Sequence, residues 1–316
     1  MRILVIKPSS LGDIIHGMVV VAELKAQRPD CIIDWVVSRC FFDIVYQSQI
    51  ASRVIIYERY GNIRSIFRLI SEIRQEIYDY VFDMQGLARS GLMTFFAKSS
   101  HKIGRRDSHE LSFLAYSQRI NYPGPVHAID ILKEFLTVIG CVPKVSGLVK
   151  ALENVDSPSA KAFLKREILP HPLMCIFPES RCPKKEWSFF TPLVQAILER
   201  DQHVAVVLLG NRPDPAEHRF SFPLCFDLRA KTSLSDVVFL IRNAQLVIAN
   251  DSGPLHISAA LGRNTLGLFT QTNPLRFGPY PLHSPTNRVL LLKNMPTEVS
   301  LIKQLALDVL HNSFLD

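Results

Sequence analysis

Three short stretches carry residues whose types and spacing could do chemistry. The first, Lys7-Pro8-Ser9-Ser10-Leu11-Gly12-Asp13, follows an apolar run and leads into a helical pattern. Ligands of open parallel sheets bind beyond the carboxyl ends of strands, so Asp13 would sit where a ligand binds. The plainer role is a helix-capping carboxylate worth about 1 kcal/mol, and spacing alone does not separate the two. The second stretch is Pro178-Glu179-Ser180-Arg181-Cys182-Pro183-Lys184-Lys185-Glu186-Trp187. A hydroxyl followed by three cations just ahead of a helix can hold a phosphate, although a solvated basic loop has the same composition. The third is Asn250-Asp251-Ser252-Gly253-Pro254-Leu255-His256. There Gly253 allows close approach to the backbone, Ser252 offers a hydroxyl in front of free helix-terminal amides, and His256 lies one turn into the helix. Taken singly, Asp251 would be a cap and His256 a packing histidine. Two such loops in one half of a chain predict a diphosphate site.

The elements that must position these residues are legible from periodicity. Apolar runs at Arg2–Ile6, Cys31–Val37, Arg53–Tyr57 and Tyr78–Met84 read as strands, with helices at Ile14–Gln27 and Ile63–Glu76. After a polar stretch, Val145–Ala160, the pattern restarts. Strands are expected at Leu173–Phe177, His203–Leu209, Leu246–Ala249 and Thr265–Phe269, and helices at Phe189–Glu199, Leu234–Arg242, Leu255–Leu261 and Val299–Leu310. Alternation of this kind implies α/β units with parallel sheets covered on both faces. Two doubly wound halves are expected, their strand ends facing a common cleft.

Composition narrows the function classes. The 316 residues, with 36 Lys+Arg against 29 Asp+Glu and 47% hydrophobic content, suit two folded domains rather than a disordered chain. No apolar run approaches the roughly 20 residues that span a bilayer, and Ile3–Ile6 ends at Lys7, far short of a signal peptide. The six cysteines form no C-x-x-C pair, as expected for reduced thiols in a cytoplasmic protein. A net charge of +7 favours an anionic partner. Nucleic acid is not expected, because the cations are scattered among acids without a basic helix or an aromatic RNA-binding motif. The absence of G-x-G-x-x-G after the first strand disfavours a dinucleotide oxidoreductase, and neither a Walker A sequence nor a G-x-S-x-G elbow is present. No D-x-D pair occurs, so a metal-clamped diphosphate is not expected.

Taken in order, Ser9-Ser10-Leu11-Gly12-Asp13, Asp83-Met84-Gln85-Gly86-Leu87, Lys185-Glu186-Trp187 and Asn250 through His256 resemble the ADP-heptose:lipopolysaccharide heptosyltransferase family over nearly the whole chain. The resemblance implies a GT-B fold, two Rossmann-like domains about a cleft. Residues 1–155 would bind the acceptor and 156–316 the nucleotide sugar, with a C-terminal helix that could return to the first domain. It implies an inverting, metal-independent transfer of heptose from ADP-heptose to the lipopolysaccharide inner core, with no cofactor. The enzyme would be cytoplasmic, with peripheral contact to the inner membrane face conceivable.

Position by position, Asp13 matches the family's proposed general base and Lys185 the lysine on the donor's phosphates. Ser180 matches a phosphate-binding hydroxyl. Asp251, Ser252, Gly253 and His256 match the donor-binding strand–loop–helix, and Thr232 the adenine pocket. Arg181 stands where a small hydroxyl residue is usual and is expected among the donor contacts. The loop Gly210-Asn211-Arg212-Pro213-Asp214 presents no clear acid at the position assigned to the donor's ribose. The same fold using another nucleotide sugar, or epimerising one, remains the alternative, and an anion-binding protein without catalysis is the rival outside enzymes.

On the acceptor side, Lys7, Ser10, Arg64, Arg89, Arg105 and Arg106 are the candidates. From Gln85 to Arg106 the chain carries Arg89, Lys98, Lys102, Arg105 and Arg106 and no acid, and Arg64 and Arg68 lie at i, i+4 on one helix face. Such a rim would attract an acceptor rich in carboxylates and phosphates. An ordinary solvated face would carry the same residues.

Overall fold

A computed structural model of the chain describes residues 1–124, 126–213 and 222–312. Asp214 of the ribose-loop expectation lies outside the described residues. The chain divides into two units, Met1–Asn154 and Val155–Asp316.

In the first unit, short segments bounded by polar turns become strands, apolar and buried on both faces in the middle of the sheet and more polar toward its edge. Among the described residues these are Arg2–Ile6 (β1), Ile32–Ser38 (β2), Arg53–Tyr57 (β3), Tyr80–Asp83 (β4), Lys102–Arg105 (β5) and Gln118–Ile120 (β6). They form one parallel sheet in the order β3-β2-β1-β4-β5-β6. On one face, Leu4, Ile6, Val36, Ile55 and Val81 pack with Leu69 and Ile73 of helix Ile63–Ile73 and with Met93 of helix Ala88–Phe96. On the other face, the Phe82 ring lies tilted against that of Phe135, their centroids 5.1 Å apart. Helix Leu11–Gln27 comes so close to β2 that a Cβ on Gly17 would sit 3.1 Å from the Trp35 ring.

The second unit repeats this architecture. Leu173–Phe177 (β7), Ala205–Leu208 (β8), Cys225–Asp227 (β9), Leu246–Asn250 (β10), Asn264–Phe269 (β11) and Asn287–Leu291 (β12) pair in the order β12-β11-β10-β7-β8-β9, all parallel. Counted from its own first strand, this is the order of the first sheet. Each sheet therefore has a point where the direction of winding reverses, between β1 and β4 and between β7 and β10. Crevices at the carboxyl ends of such strand pairs receive ligands.

Helix Glu298–Asn312 buries Ile302, Ala306, Leu307 and Leu310 in the second unit's core, beside Leu193, Val194 and Ile197 of helix Phe190–Arg200. That part of its apolar face is thus used within its own unit. Two helix starts also differ from the periodicity. Helix Leu11–Gln27 begins one turn before Ile14, and helix Gly253–Ala260 begins at Gly253, which makes Ser252 its N-cap residue.

Candidate active site

In the first unit, both arms of the reversal point carry polar side chains. Asp13 occupies the third position of helix Leu11–Gln27, where its Oδ2 accepts from the Ser10 backbone N–H at 3.1 Å and the Ser10 hydroxyl at 2.9 Å. Its other oxygen, Oδ1, accepts from Lys7 Nζ at 3.1 Å, and the same ammonium donates to the Met84 carbonyl at 3.0 Å. The lysine thereby ties the end of β1 to the end of β4. The Lys7 side chain is 1% exposed and that of Asp13 40% exposed. Burial raises the Asp13 carboxyl pKa, but Lys7, His16 and the bonds from Ser10 outweigh it and hold the group well below the usual carboxylate range. Burial pushes the Lys7 ammonium down against the pull of Asp13, and the positive charge of Arg105 adds to that push.

Asp83, at the end of β4, shapes the neighbouring loop. It accepts from the backbone N–H groups of Gln85 at 3.0 Å and Gly86 at 2.9 Å and from the Tyr116 hydroxyl at 2.8 Å. Gly86 sits at φ +75°, a conformation that side-chain-bearing residues rarely adopt. Gln85 is turned back so that its Oε1 accepts from the Ser9 N–H at 3.4 Å.

In the second unit, the loops after β7 and β10 are joined by side chains. Asn250 accepts from the Trp187 N–H at 3.1 Å and donates to the Pro178 carbonyl at 2.6 Å. The Ser180 hydroxyl donates to the Asp251 carbonyl at 3.0 Å. Lys185 Nζ meets Asp251 Oδ2 at 2.6 Å, and the Thr272 hydroxyl donates to that same oxygen at 2.7 Å. Here the carboxylate side chain is the buried partner, at 9% exposure, and the lysine is 31% exposed. The loop after β8 is tethered as well, because Glu179 accepts from the backbone N–H groups of Asn211 at 3.0 Å and Arg212 at 3.1 Å. Arg212 also pairs with Glu186, whose Oε1 accepts from the Ser180 N–H at 2.9 Å.

The hydroxyls of Ser252 and Thr232 are buried and have no hydrogen-bond partner among the described residues. Buried hydroxyls are normally satisfied. The Ser252 hydroxyl stands at the N-terminus of helix Gly253–Ala260, where free N–H groups favour an anion. Thr232 precedes helix Leu234–Asn243, in the loop that follows β9. Both were expected to receive a donor. His256 is buried within its helix, and Arg181 is exposed on the loop surface.

The acceptor candidates are sorted by the sheet. Arg64 and Arg89 are the second residues of helices that follow β3 and β4, and Arg105 and Arg106 end or follow β5, so all four lie at the carboxyl edge with Asp13 and Ser10. Register pairs Lys102 with Val81 near the start of β4, which puts that part of the basic run at the opposite edge. Arg105 is committed to Asp107 through paired bonds of 2.9 and 2.7 Å. Lys7 is deeply buried, with its ammonium on Asp13 and the Met84 carbonyl. Asn250, Thr272 and Glu179 gained no role from the sequence. Asn250 stood in a recognised motif without one, whereas Thr272 follows β11 with no local signal at all.

The family model for glycosyltransferase family 9 (heptosyltransferase) matches residues 66–301. The chain belongs to that family and is a glycosyltransferase. It is 25% identical over 289 residues to lipopolysaccharide core heptosyltransferase OpsX of Haemophilus influenzae, covering 87% of this chain and 81% of that protein. It is also 25% identical to lipopolysaccharide heptosyltransferase 1 of Escherichia coli K12, covering 89% and 91%. The solved E. coli heptosyltransferase WaaC with ADP superposes with a TM-score of 0.79 at 22% identity, over 98% of this chain and 100% of that one. The fold is GT-B. It extends to the UDP-GlcNAc 2-epimerase of Methanocaldococcus jannaschii, at a TM-score of 0.58 and 12% identity over 96% of this chain and 92% of that one. Fold alone therefore does not select the chemistry.

Proposed function

We propose that this glycosyltransferase moves heptose from ADP-heptose to the inner core of lipopolysaccharide, by an inverting displacement that needs no metal ion. The observation that carries the reading is the opposite burial of two ion pairs. The first unit presents a carboxylate backed by a hidden ammonium, and the second presents an ammonium backed by a hidden carboxylate. The names of the relatives above support the choice of heptose and lipopolysaccharide.

In this reading the acceptor binds the first unit and the donor the second. The acceptor oxygen attacks the anomeric carbon as the bond to the diphosphate breaks on the opposite face, and ADP departs. Asp13 takes the acceptor's hydroxyl proton. Because its carboxyl is held below the ordinary range, it is a weak base at rest, so the proton moves late, as attack acidifies the hydroxyl. Lys185, the Ser252 hydroxyl and the N–H groups of helix Gly253–Ala260 take up the charge developing on the leaving diphosphate. That is the task a metal would otherwise perform.

The test is to incubate purified protein with ADP-heptose and a heptose-free inner-core acceptor, following ADP release and product mass with and without EDTA. Transfer undiminished by EDTA, with the anomeric configuration inverted, is expected. Conversion of a nucleotide sugar without any acceptor would favour an epimerase, and loss of transfer in EDTA restored by Mg²⁺ would overturn the metal-free site. A thermal-shift panel of nucleotide sugars identifies the donor directly, since ligand at about 100 times its Kd adds about 2.7 kcal/mol of stability.

A further inference from the structure

We propose that the first unit docks on an anionic lipid bilayer through the outer faces of helices Ile63–Ile73 and Ala88–Phe96. At about 100° per residue, the apolar side chains Leu69, Ile73, Ile66, Ile70, Ile63 and Phe67 span an arc of about 160°. Leu69 and Ile73, at one edge of the arc, are in the core; Ile63 and Phe67, at the other, are 65% and 66% exposed. The helix thus carries an apolar stripe much wider than its core contact requires. Helix Ala88–Phe96 shares that core cluster through Met93 and turns Leu92 and Phe95 outward, with Phe95 61% exposed. The two helices meet at one end, where Arg74 donates to the Phe96 carbonyl at 3.1 Å.

Charge complementarity selects the occupant. Arg59 lies over the ring of the exposed Tyr60 at 5.7 Å, and Lys102 lies over Phe95 at 5.8 Å while donating to the Phe95 carbonyl. Arg64 projects from the first turn of its helix, fully within the exposed stretch. The nearby carboxylates are engaged: Glu58 with Arg39, Glu72 with Arg68 and Glu76 with Arg2. Aromatic and aliphatic side chains edged by cations suit the boundary between anionic headgroups and acyl chains. A purely polar sugar surface would leave this apolar face exposed to water. The surface begins at Tyr60 and Ile63, next to the carboxyl end of β3, which is the edge that holds Asp13. A docked first unit would keep its acceptor edge close to the bilayer, which rests on the reading above that the acceptor is a membrane-held glycolipid.

The experiment is flotation of the full chain with vesicles of phosphatidylethanolamine, with or without phosphatidylglycerol, alongside transfer to a delipidated inner-core oligosaccharide. Binding to the phosphatidylglycerol vesicles that weakens with salt is expected. The I63S/F67S variant should lose binding by about tenfold or more, and L92S/F95S should do the same, with circular dichroism and transfer to the soluble acceptor unchanged. No binding, binding indifferent to both variants, or binding equal on neutral vesicles would overturn the proposal. So would a concentration-dependent dimer in sedimentation velocity that the same variants abolish, because the face would then cover a second copy. Transfer to the soluble acceptor without vesicle binding would sink the docking surface and leave the function intact. Vesicle binding without transfer would do the reverse.

Discussion

The two reversal points of this chain are built alike and charged in opposite senses. Each holds a lysine–aspartate pair: in the second unit the pair itself links the loops after β7 and β10, and in the first the pair follows β1 while Lys7 reaches across to the Met84 carbonyl at the end of β4. In the first unit the lysine is hidden and the aspartate half-exposed; in the second the aspartate is hidden and the lysine half-exposed. Burying one member of a pair costs desolvation energy that the partner and further hydrogen bonds must offset. Each hidden member has a further bond of its own, Lys7 to the Met84 carbonyl and Asp251 from the Thr272 hydroxyl, and Asp13 is held in addition by Ser10. One scaffold therefore presents a carboxylate at one sheet and an ammonium at the other, according to which partner faces outward.

The largest effect should come from removing the exposed member in the first unit. Asp13→Asn keeps an oxygen for Lys7, and a lysine already pushed down by burial can shed its proton rather than unfold the domain. Turnover should fall by about 10²–10⁴-fold while ADP binding, read by calorimetry, is retained. A variant with near-normal turnover would leave Asp13 as a helix cap only and remove the contrast between the sheets.

Removing the exposed member in the second unit should act on binding. Lys185→Ala is expected to weaken ADP by about 10–100-fold, the scale of a charged hydrogen bond, and adenosine much less. It also leaves the hidden Asp251 with the Thr272 hydroxyl, so the melting temperature should drop more than in Asp13→Asn. Equal losses for ADP and adenosine would mean that the loop has collapsed rather than lost a phosphate contact. Asn250→Ala probes the scaffold beneath. Losing two bonds at a fully buried amide should cost about 1–3 kcal/mol in chemical denaturation and raise the donor's KM several-fold. Unchanged stability would show that Asn250 does not hold the two loops together.

Much of this contrast was legible in the sequence. Asp13, Lys185 and Asp251 stood out because they follow apolar strands and precede helices, and the central strands β1, β2, β7 and β10 announce themselves by continuous hydrophobicity. Asn287–Leu291 was missed despite its Val-Leu-Leu run, but most of what stayed hidden has a common cause. The strands Lys102–Arg105, Gln118–Ile120 and Cys225–Asp227 lie toward the sheet edges and are short or polar, so they carry no apolar run. Missing β5 merged the two edges of the sheet into one basic rim, which register then divided between Lys102 and Arg105. The polarity of burial was illegible too, since Lys7 and Lys185 are the same residue type in similar loops. Lys7 is covered by contacts made 77 residues away with Met84, and no local pattern encodes those.

The smallest expected effect tests whether Lys7 tunes Asp13. The folded carboxyl lies below its unfolded value of about 4, so its interactions contribute stability above that pH, and the contribution is lost as pH falls through the folded value. In the native enzyme Asp13 should stay ionised throughout the range of about pH 5–8 and leave no acid limb in kcat/KM there. Lys7→Met replaces a buried ammonium with an apolar chain of similar length, and Asp13, being half-exposed, can take water in its place. The fold should persist. The carboxyl pKa should climb, although Ser10 and His16 still favour its charge, and an NMR titration of the Asp13 carboxyl below about pH 5 should follow it upward. Turnover near pH 7.5 should change only a few-fold, because a slightly stronger base remains fully ionised there. A carboxyl titration that does not move would assign the depression of Asp13 to Ser10 and His16 and reduce Lys7 to a tie between β1 and β4.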